Sequence, residues 1–221
     1  MERRGWMAGE ASYGHSERRE MMQFVPVGAR RVLEVGCNTG RFGAALRAER
    51  GGEVWGVEPN ARAATQAAAL LTRVIEAPFD DGVDVPDRYF DVVVFNDVLE
   101  HLVDPWGALR LAGRKLKQGG VVVASIPNLR HVDNLLHILL EQDFRYESCG
   151  VRDKTHLRFF TCRSVARLFE ESGFEVKLVK GIHASWWSPS LARRLAYRLF
   201  RARLEDTKYQ QYAVVASMRR E

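Results

Sequence analysis

Disulfide frameworks, membrane spans and internal repeats are all missing from this 221-residue sequence. Its three cysteines, Cys37, Cys149 and Cys162, are far apart and form no CxxC pair, which removes a disulfide scaffold or thiolate cluster as the organising element. Such sparse cysteine fits a reducing compartment, where the thiols serve as small apolar side chains. No apolar run approaches the ~20 residues that cross a bilayer as a helix. The opening residues MERRGWMAGEASYGHSERRE have no apolar stretch of the signal-peptide kind, so the expected location is cytoplasmic. Lysine is scarce too, six against 27 arginines, and no low-complexity linker divides the chain. What is present, 46% hydrophobic and 28% charged residues, is the profile of a folded globular domain rather than a disordered or fibrous chain.

The charge is unevenly placed. Residues 1–128 carry 16 basic and 17 acidic residues, whereas 129–221 carry 17 and 11. The C-terminal part is therefore the candidate for meeting an anionic group. No zinc-finger or other nucleic-acid module accompanies that charge, and no nucleic-acid partner is expected.

Short apolar runs alternate with longer helical stretches. Strands are expected at 31–36, 53–57, 73–75, 90–95 and 121–126, and helices at 41–50, 60–72, 104–117 and 130–141. Asn60 and Asp104-Pro105 stand where helix starts place a cap and an N1 proline. The runs FDVVVF and VVVASI are continuously apolar, as parallel strands covered on both faces require. A helix over 163–172, a strand over 175–179, a helix over 190–204 and a strand over 211–218 complete the chain. The pattern predicts one α/β domain, a doubly wound, mostly parallel sheet of seven strands. Within it, 1–30 is expected as a lid, 31–128 as a ligand-binding core and 129–162 as an insertion covering the acceptor site. Residues 163–221 supply the C-terminal helices and strands.

The chemistry concentrates after the first strand. Gly36-x-x-x-Gly40-x-x-Gly43 differs from the GxGxxG of a pyrophosphate-gripping loop, which disfavours a nicotinamide-dependent dehydrogenase. Glu58 ends the second strand, 22 residues past Gly36. A carboxylate there accepts both hydroxyls of a ribose, or alternatively caps the helix that follows.

Taken together, LEVGCNTG, EVWGVEPN, FDVVVFNDVLEHLVDP and LKQGGVVVASIPN resemble, in order, the motifs of class I S-adenosylmethionine-dependent methyltransferases. The resemblance implies S-adenosylmethionine as cofactor. It implies that Glu34, Gly36, Cys37, Asn38 and Gly40 form the loop beneath the methionine part, and that Glu58 and the adjacent Pro59 lie at the ribose. Glu76 and Ala77 would flank the adenine, and Asn96 and Asp97 would hold the methionyl end. Asn38 stands where the family commonly has glycine, so its side chain is expected either to crowd the loop slightly or to take a left-handed backbone. Tyr13, Arg18 and DKTHLRFFT at 153–161 are similar to a bacterial subgroup associated with glycan and natural-product assembly. That likeness implies a small polar acceptor, a sugar or glycosylated metabolite, methylated on a hydroxyl. Tyr13 and Arg18 are candidate cofactor contacts: Tyr13 either folds over the cofactor, with its hydroxyl near the methionyl group or acceptor, or is a packed lid residue.

Methyl transfer to a hydroxyl needs alignment and a proton acceptor, and imidazole suits that work. His156, beside Asp153 and Arg158, and His101, just past the fourth strand, are the candidate bases. Each has a structural alternative, fixing its loop. Asp97, Glu100 and His101 have ligand-like spacing, but no further ligand cluster stands near them in the sequence, and no metal is expected. Asp153, Arg158 and Trp186 are the candidate acceptor contacts. A [DN]PP[YF] amide clamp is absent, against adenine, glutamine or cytosine methylation. Arg193, Arg194, Arg198 and Arg201 line one side of the 191–204 helix, which packs on its own domain or touches an anionic membrane. The positive C-terminal part points to an acceptor carrying phosphate. N-methylation of an amino sugar, or a cofactor-binding regulator without turnover, are the alternatives.

Overall fold

The computed structural model describes residues 17–185, 195, 198, 199 and 203–219. The order is α1 (Arg19–Met22), β1 (Arg31–Val35), α2 (Arg41–Arg50), β2 (Glu53–Val57), α3 (Ala61–Ala68), β3 (Arg73–Ile75) and β4 (Phe90–Asn96). There follow α4 (Pro105–Lys115), β5 (Leu116–Pro127), α5 (Val132–Leu136), α6 (Cys162–Glu171), β6 (Phe174–Ala184) and β7 (Tyr209–Met218). The seven strands order as β3-β2-β1-β4-β5-β7-β6. Strands β1 to β5 run parallel, and β7 enters antiparallel between β5 and β6.

The apolar runs explain the centre. Phe90 and Val92 to Phe95 are fully buried, because β4 is flanked by β1 and β5 and covered on both faces. Each such side chain contributes about 1.5–3 kcal/mol relative to exposure. One face packs Leu109, Leu111 and Ala112 of α4 with Val165, Leu168 and Phe169 of α6. The opposite face packs Phe42 and Leu46 of α2 with Ala67 of α3. Helix starts follow the expected chemistry. Ala63 N–H donates to the Asn60 side chain at 3.0 Å, and Gly107 N–H to Asp104 at 2.8 Å. Thr161 and Ser164 form a capping box.

Four expectations change. Met21, Met22, Phe24 and Val25 are buried in the α2–α3 face, so this part of the expected lid is core. The helix expected at 130–141 is α-helical only over Val132–Leu136. It widens to a π turn over His137–Glu141, which buries no side chain and so has no packing partner to hold α register. Strand β6 runs on to Ala184, well past 179, because β7 pairs along its length. Strand β5 begins five residues before the apolar run, at Leu116, which pairs with Phe90. Tyr13, Trp186 and nearly all of the expected 190–204 helix lie outside the described residues. Among the described residues, no helix is long and apolar enough to cross a membrane.

The topology brings the carboxyl ends of β1, β2, β4 and β5, and the start of β7, to one edge of the sheet. Ligands of open parallel sheets bind at that edge.

Candidate active site

Beyond β1 the chain turns sharply through three left-handed residues, Gly36 (φ +66°), Asn38 (φ +48°) and Gly40 (φ +76°). A Cβ on Gly36 would stand 2.7 Å from the Val98 side chain, and one on Gly40 3.0 Å from the α3 backbone at Ala67. Both positions therefore require glycine. Of the two expected outcomes, Asn38 adopts the left-handed conformation, which asparagine tolerates better than most residues. The loop is tied to the next strand by Gly36 N–H donating to the Val57 carbonyl at 2.8 Å.

Glu58 closes the loop. Its Oε2 accepts from Asn38 N–H at 2.8 Å and its Oε1 from Asn60 N–H at 2.9 Å. The carboxylate thus braces both the glycine loop and the N-cap residue Asn60, with acceptor capacity left on each oxygen. Pro59 follows it directly. Glu76 lies just past β3, exposed, with Ala77 half-buried beside it. Glu34 is buried beneath the loop, where its Oε2 accepts from Gly43 N–H at 3.1 Å. Burial pushes its carboxyl up to about 8, against the hydrogen bond from Gly43, with the Asn96 amide close by. Cys37 is buried and its thiol is pushed up by desolvation, so it is an inert packing residue.

At the end of β4 two neighbours differ. Neither amide atom of Asn96 has a hydrogen-bond partner, though both are buried. Asp97 (φ +55°) is saturated: Oδ1 accepts from Ser125 Oγ at 3.0 Å and Gln211 Nε2 at 2.9 Å, and Oδ2 from Arg18. Arg18 also donates to Gln211 Oε1 at 3.0 Å. Residues on β4, β5, β7 and the N-terminal segment so meet around one carboxylate. Ser125 and Gln211 were not foreseen as site residues, although both stand at the predicted ends of their strands.

These residues fit S-adenosylmethionine. The left-handed loop lets the backbone approach a ligand, Glu58 retains lone pairs for a ribose diol, and Asn96 has an unused amide at the strand end.

A second constellation lies past β4, where the chain meets the insertion. Glu100 and His101 form a single 3₁₀ turn after β4, and His156 comes from the insertion. Leu157 and Arg158 N–H both donate to the Glu100 carbonyl, at 2.8 and 3.0 Å, and bring the two segments together. The His101 and His156 rings meet edge to face, centroids 4.7 Å apart. His156 Nε2 lies 4.0 Å from Glu100 Oε1, with both side chains 1% exposed. Among the described residues, neither Glu100 carboxyl oxygen nor His156 Nε2 has a hydrogen-bond partner. Burial, with Asp97 nearby, raises the Glu100 carboxyl well above the usual range; burial and His101 lower the His156 imidazole. His156 is therefore neutral at pH 7, with its Nδ1 against the Val151 carbonyl at 3.2 Å.

The other acceptor-side candidates are engaged within the protein. Asp153 Oδ1 accepts from the Thr155 backbone N–H at 2.8 Å and hydroxyl at 2.7 Å, a turn-forming role. The Arg158 guanidinium donates to the Val103 carbonyl at 2.7 Å. Arg130 grips Asp206 through two nitrogens, and Arg152 pairs with Glu147 at 2.6 Å. At these three arginines, much of the positive charge is structural.

A family of known proteins described as a methyltransferase domain matches residues 13–179. A ubiquinone biosynthesis O-methyltransferase of Aeromonas salmonicida is 28% identical over 162 residues, which cover 70% of this chain and 66% of that relative. The chain thus spans just under two thirds of the length of this curated relative. A SAM-dependent methyltransferase from Archaeoglobus fulgidus superposes with a TM-score of 0.67 at 22% identity, covering 91% of this chain and 94% of that one. The 1,6-didemethyltoxoflavin-N1-methyltransferase of Burkholderia thailandensis, solved with its acceptor and S-adenosylhomocysteine, gives 0.64 at 15% identity, covering 96% and 82%. At these identities the likeness to the solved structures is one of fold.

Proposed function

Since this chain belongs to the methyltransferase-domain family, we propose that it transfers a methyl group from S-adenosylmethionine to a hydroxyl of a small polar acceptor. The observation that carries this reading is the Glu58 carboxylate folded onto the left-handed Gly36–Gly40 loop at the carboxyl edge of the sheet. S-adenosylmethionine supplies an electrophilic methyl group on a sulfonium. The loop and Asn96 hold and orient the methionyl end, and Glu58 receives the ribose. Arg18, Ser125 and Gln211 fix Asp97 at the border between cofactor and acceptor.

The acceptor's proton leaves on the side of Glu100, His101 and His156, where unpaired polar atoms are available. Oxygen as the methylated atom is supported by the named activity of the Aeromonas relative. A sugar or glycosylated metabolite is the acceptor class, and the protein works in the cytoplasm. Trp186 and Tyr13, outside the described residues, remain candidate acceptor and cofactor contacts on the sequence alone. Calorimetry with S-adenosylmethionine, S-adenosylhomocysteine and NAD separates the classes. Binding of the first two and not NAD is expected, and tight NAD binding alone overturns the reading. Mass spectrometry of a hydroxyl and amine panel then reads the methylated atom. Methylation of amines only would replace oxygen by nitrogen.

A further inference from the structure

Glu100, His101 and His156 each offer a ligand atom, and these atoms lie within 4.8 Å of one another. Three observations set this cluster apart from an accidental gathering of polar groups. First, Glu100 and His156 are almost wholly buried, yet both Glu100 oxygens and His156 Nε2 lack partners. An unsatisfied buried carboxyl costs several times what a typical hydrogen bond contributes, so a fold retains it where something else satisfies it. Second, each imidazole has its Nδ1 held within the protein. His156 Nδ1 meets the Val151 carbonyl at 3.2 Å, and His101 Nδ1 meets the Thr155 carbonyl at 3.3 Å and hydroxyl at 3.1 Å. A ring that donates Nδ1–H to a carbonyl has its Nε2 lone pair fixed for a cation, the usual support of a metal-bound histidine. Third, the support extends outward, because Thr155 is itself tied to Asp153.

We infer that Glu100, His101 and His156 bind a divalent transition-metal ion, as a two-histidine, one-carboxylate site on the acceptor side of the methyl-transfer centre. Two nitrogen donors and one oxygen favour zinc, manganese, iron or cobalt over calcium or magnesium, which prefer oxygen-only shells. Ligand atoms about 2.0–2.2 Å from a tetrahedral ion stand roughly 3.3–3.6 Å apart, so side chains now within 4.8 Å close by small rotamer shifts. With three protein ligands, a coordination position stays open. A hydroxyl bound there loses its proton to solvent near neutral pH, as metal-bound water does, and becomes a competent nucleophile. The buried, neutral His156 then acts as a ligand rather than as a free base.

The ion's use rests on the methyl-transfer reading, but its binding does not, and the test separates the two. Full-length protein stripped with a chelator is titrated calorimetrically with Zn2+ alone, then with Mn2+ and Mg2+. One Zn2+ per chain is expected, with affinity at least ~100-fold weaker in Glu100→Gln and in His101→Ala, and weak Mg2+ binding. Co2+-loaded protein is expected to show visible ligand-field bands that both variants lose. His101 is only partly buried, so His101→Ala stays informative if circular dichroism shows Glu100→Gln unfolded. Absence of stoichiometric binding, or unchanged binding in both variants, overturns the inference. So does full methyl transfer by protein shown to be metal-free. Metal binding as expected with no transfer to any hydroxyl overturns the proposed function instead.

Discussion

On the proposed cofactor side of the strand edge, Glu34 holds one backbone amide and Glu58 two, whereas on the proposed acceptor side the Glu100 carboxyl and His156 Nε2 have no hydrogen-bond partner among the described residues. Both sides bury their polar groups, so burial alone does not distinguish them. For the carboxyl groups, the difference lies in satisfaction, whereas Asn96 at the loop side is unpartnered among the described residues as well. The proposed cofactor side commits its carboxylates to shaping the glycine loop. The acceptor side leaves donors and acceptors in reserve, and a reserved buried group marks where a ligand completes the structure.

Substituting Glu34 tests the structural half of this contrast with the largest effect on stability. Its carboxyl is raised from 4.5 to about 8, so the folded protein keeps a proton that the unfolded chain releases. Stability from this group therefore falls as pH rises from 4.5 to 8 and levels off above, by on the order of 5 kcal/mol. Glu34→Gln keeps an acceptor for Gly43 and is expected to remove that slope. Urea denaturation at pH 5, 7 and 8.5 reads it; parallel curves for the two proteins would mean that Glu34 ionises freely.

The acceptor half is tested by His156→Ala. Turnover is expected to fall at least ~100-fold while affinity for S-adenosylmethionine changes less than about twofold. Loss of both together would merge the two sides. Gly36→Ala is expected to do the reverse. A left-handed alanine costs about 1–2 kcal/mol, and its Cβ would overlap Val98, so cofactor affinity drops tenfold or more by calorimetry. The smallest effect belongs to Asn38→Gly. Asparagine already accepts the left-handed φ there, so stability and cofactor affinity are expected to move by no more than about 0.5 kcal/mol.

The same contrast explains what the sequence made legible. Apolar runs such as FDVVVF, the caps Asn60 and Asp104, and the Gly loop with Glu58 are local patterns, and the sheet and cofactor edge follow from them. Even the left-handed Asn38 was readable as one of two outcomes, since the backbone need was local. The acceptor cluster was not. His156 lies 55 residues beyond His101, and the two meet through backbone bonds from Leu157 and Arg158 to the Glu100 carbonyl, which leave no periodic trace. Nor does a glutamate in a polar stretch announce that it will be buried. The packing of Met21 to Val25 was missed for a related reason, since five residues before a strand are too few to show a period.

The separation of cofactor binding from acceptor chemistry is tested most directly by titrating wild-type protein, Glu58→Gln and His156→Ala with S-adenosylmethionine. The wild type is expected to bind, Glu58→Gln to lose about tenfold in affinity, and His156→Ala to match the wild type. Unchanged affinity in Glu58→Gln together with loss in His156→Ala would contradict the division.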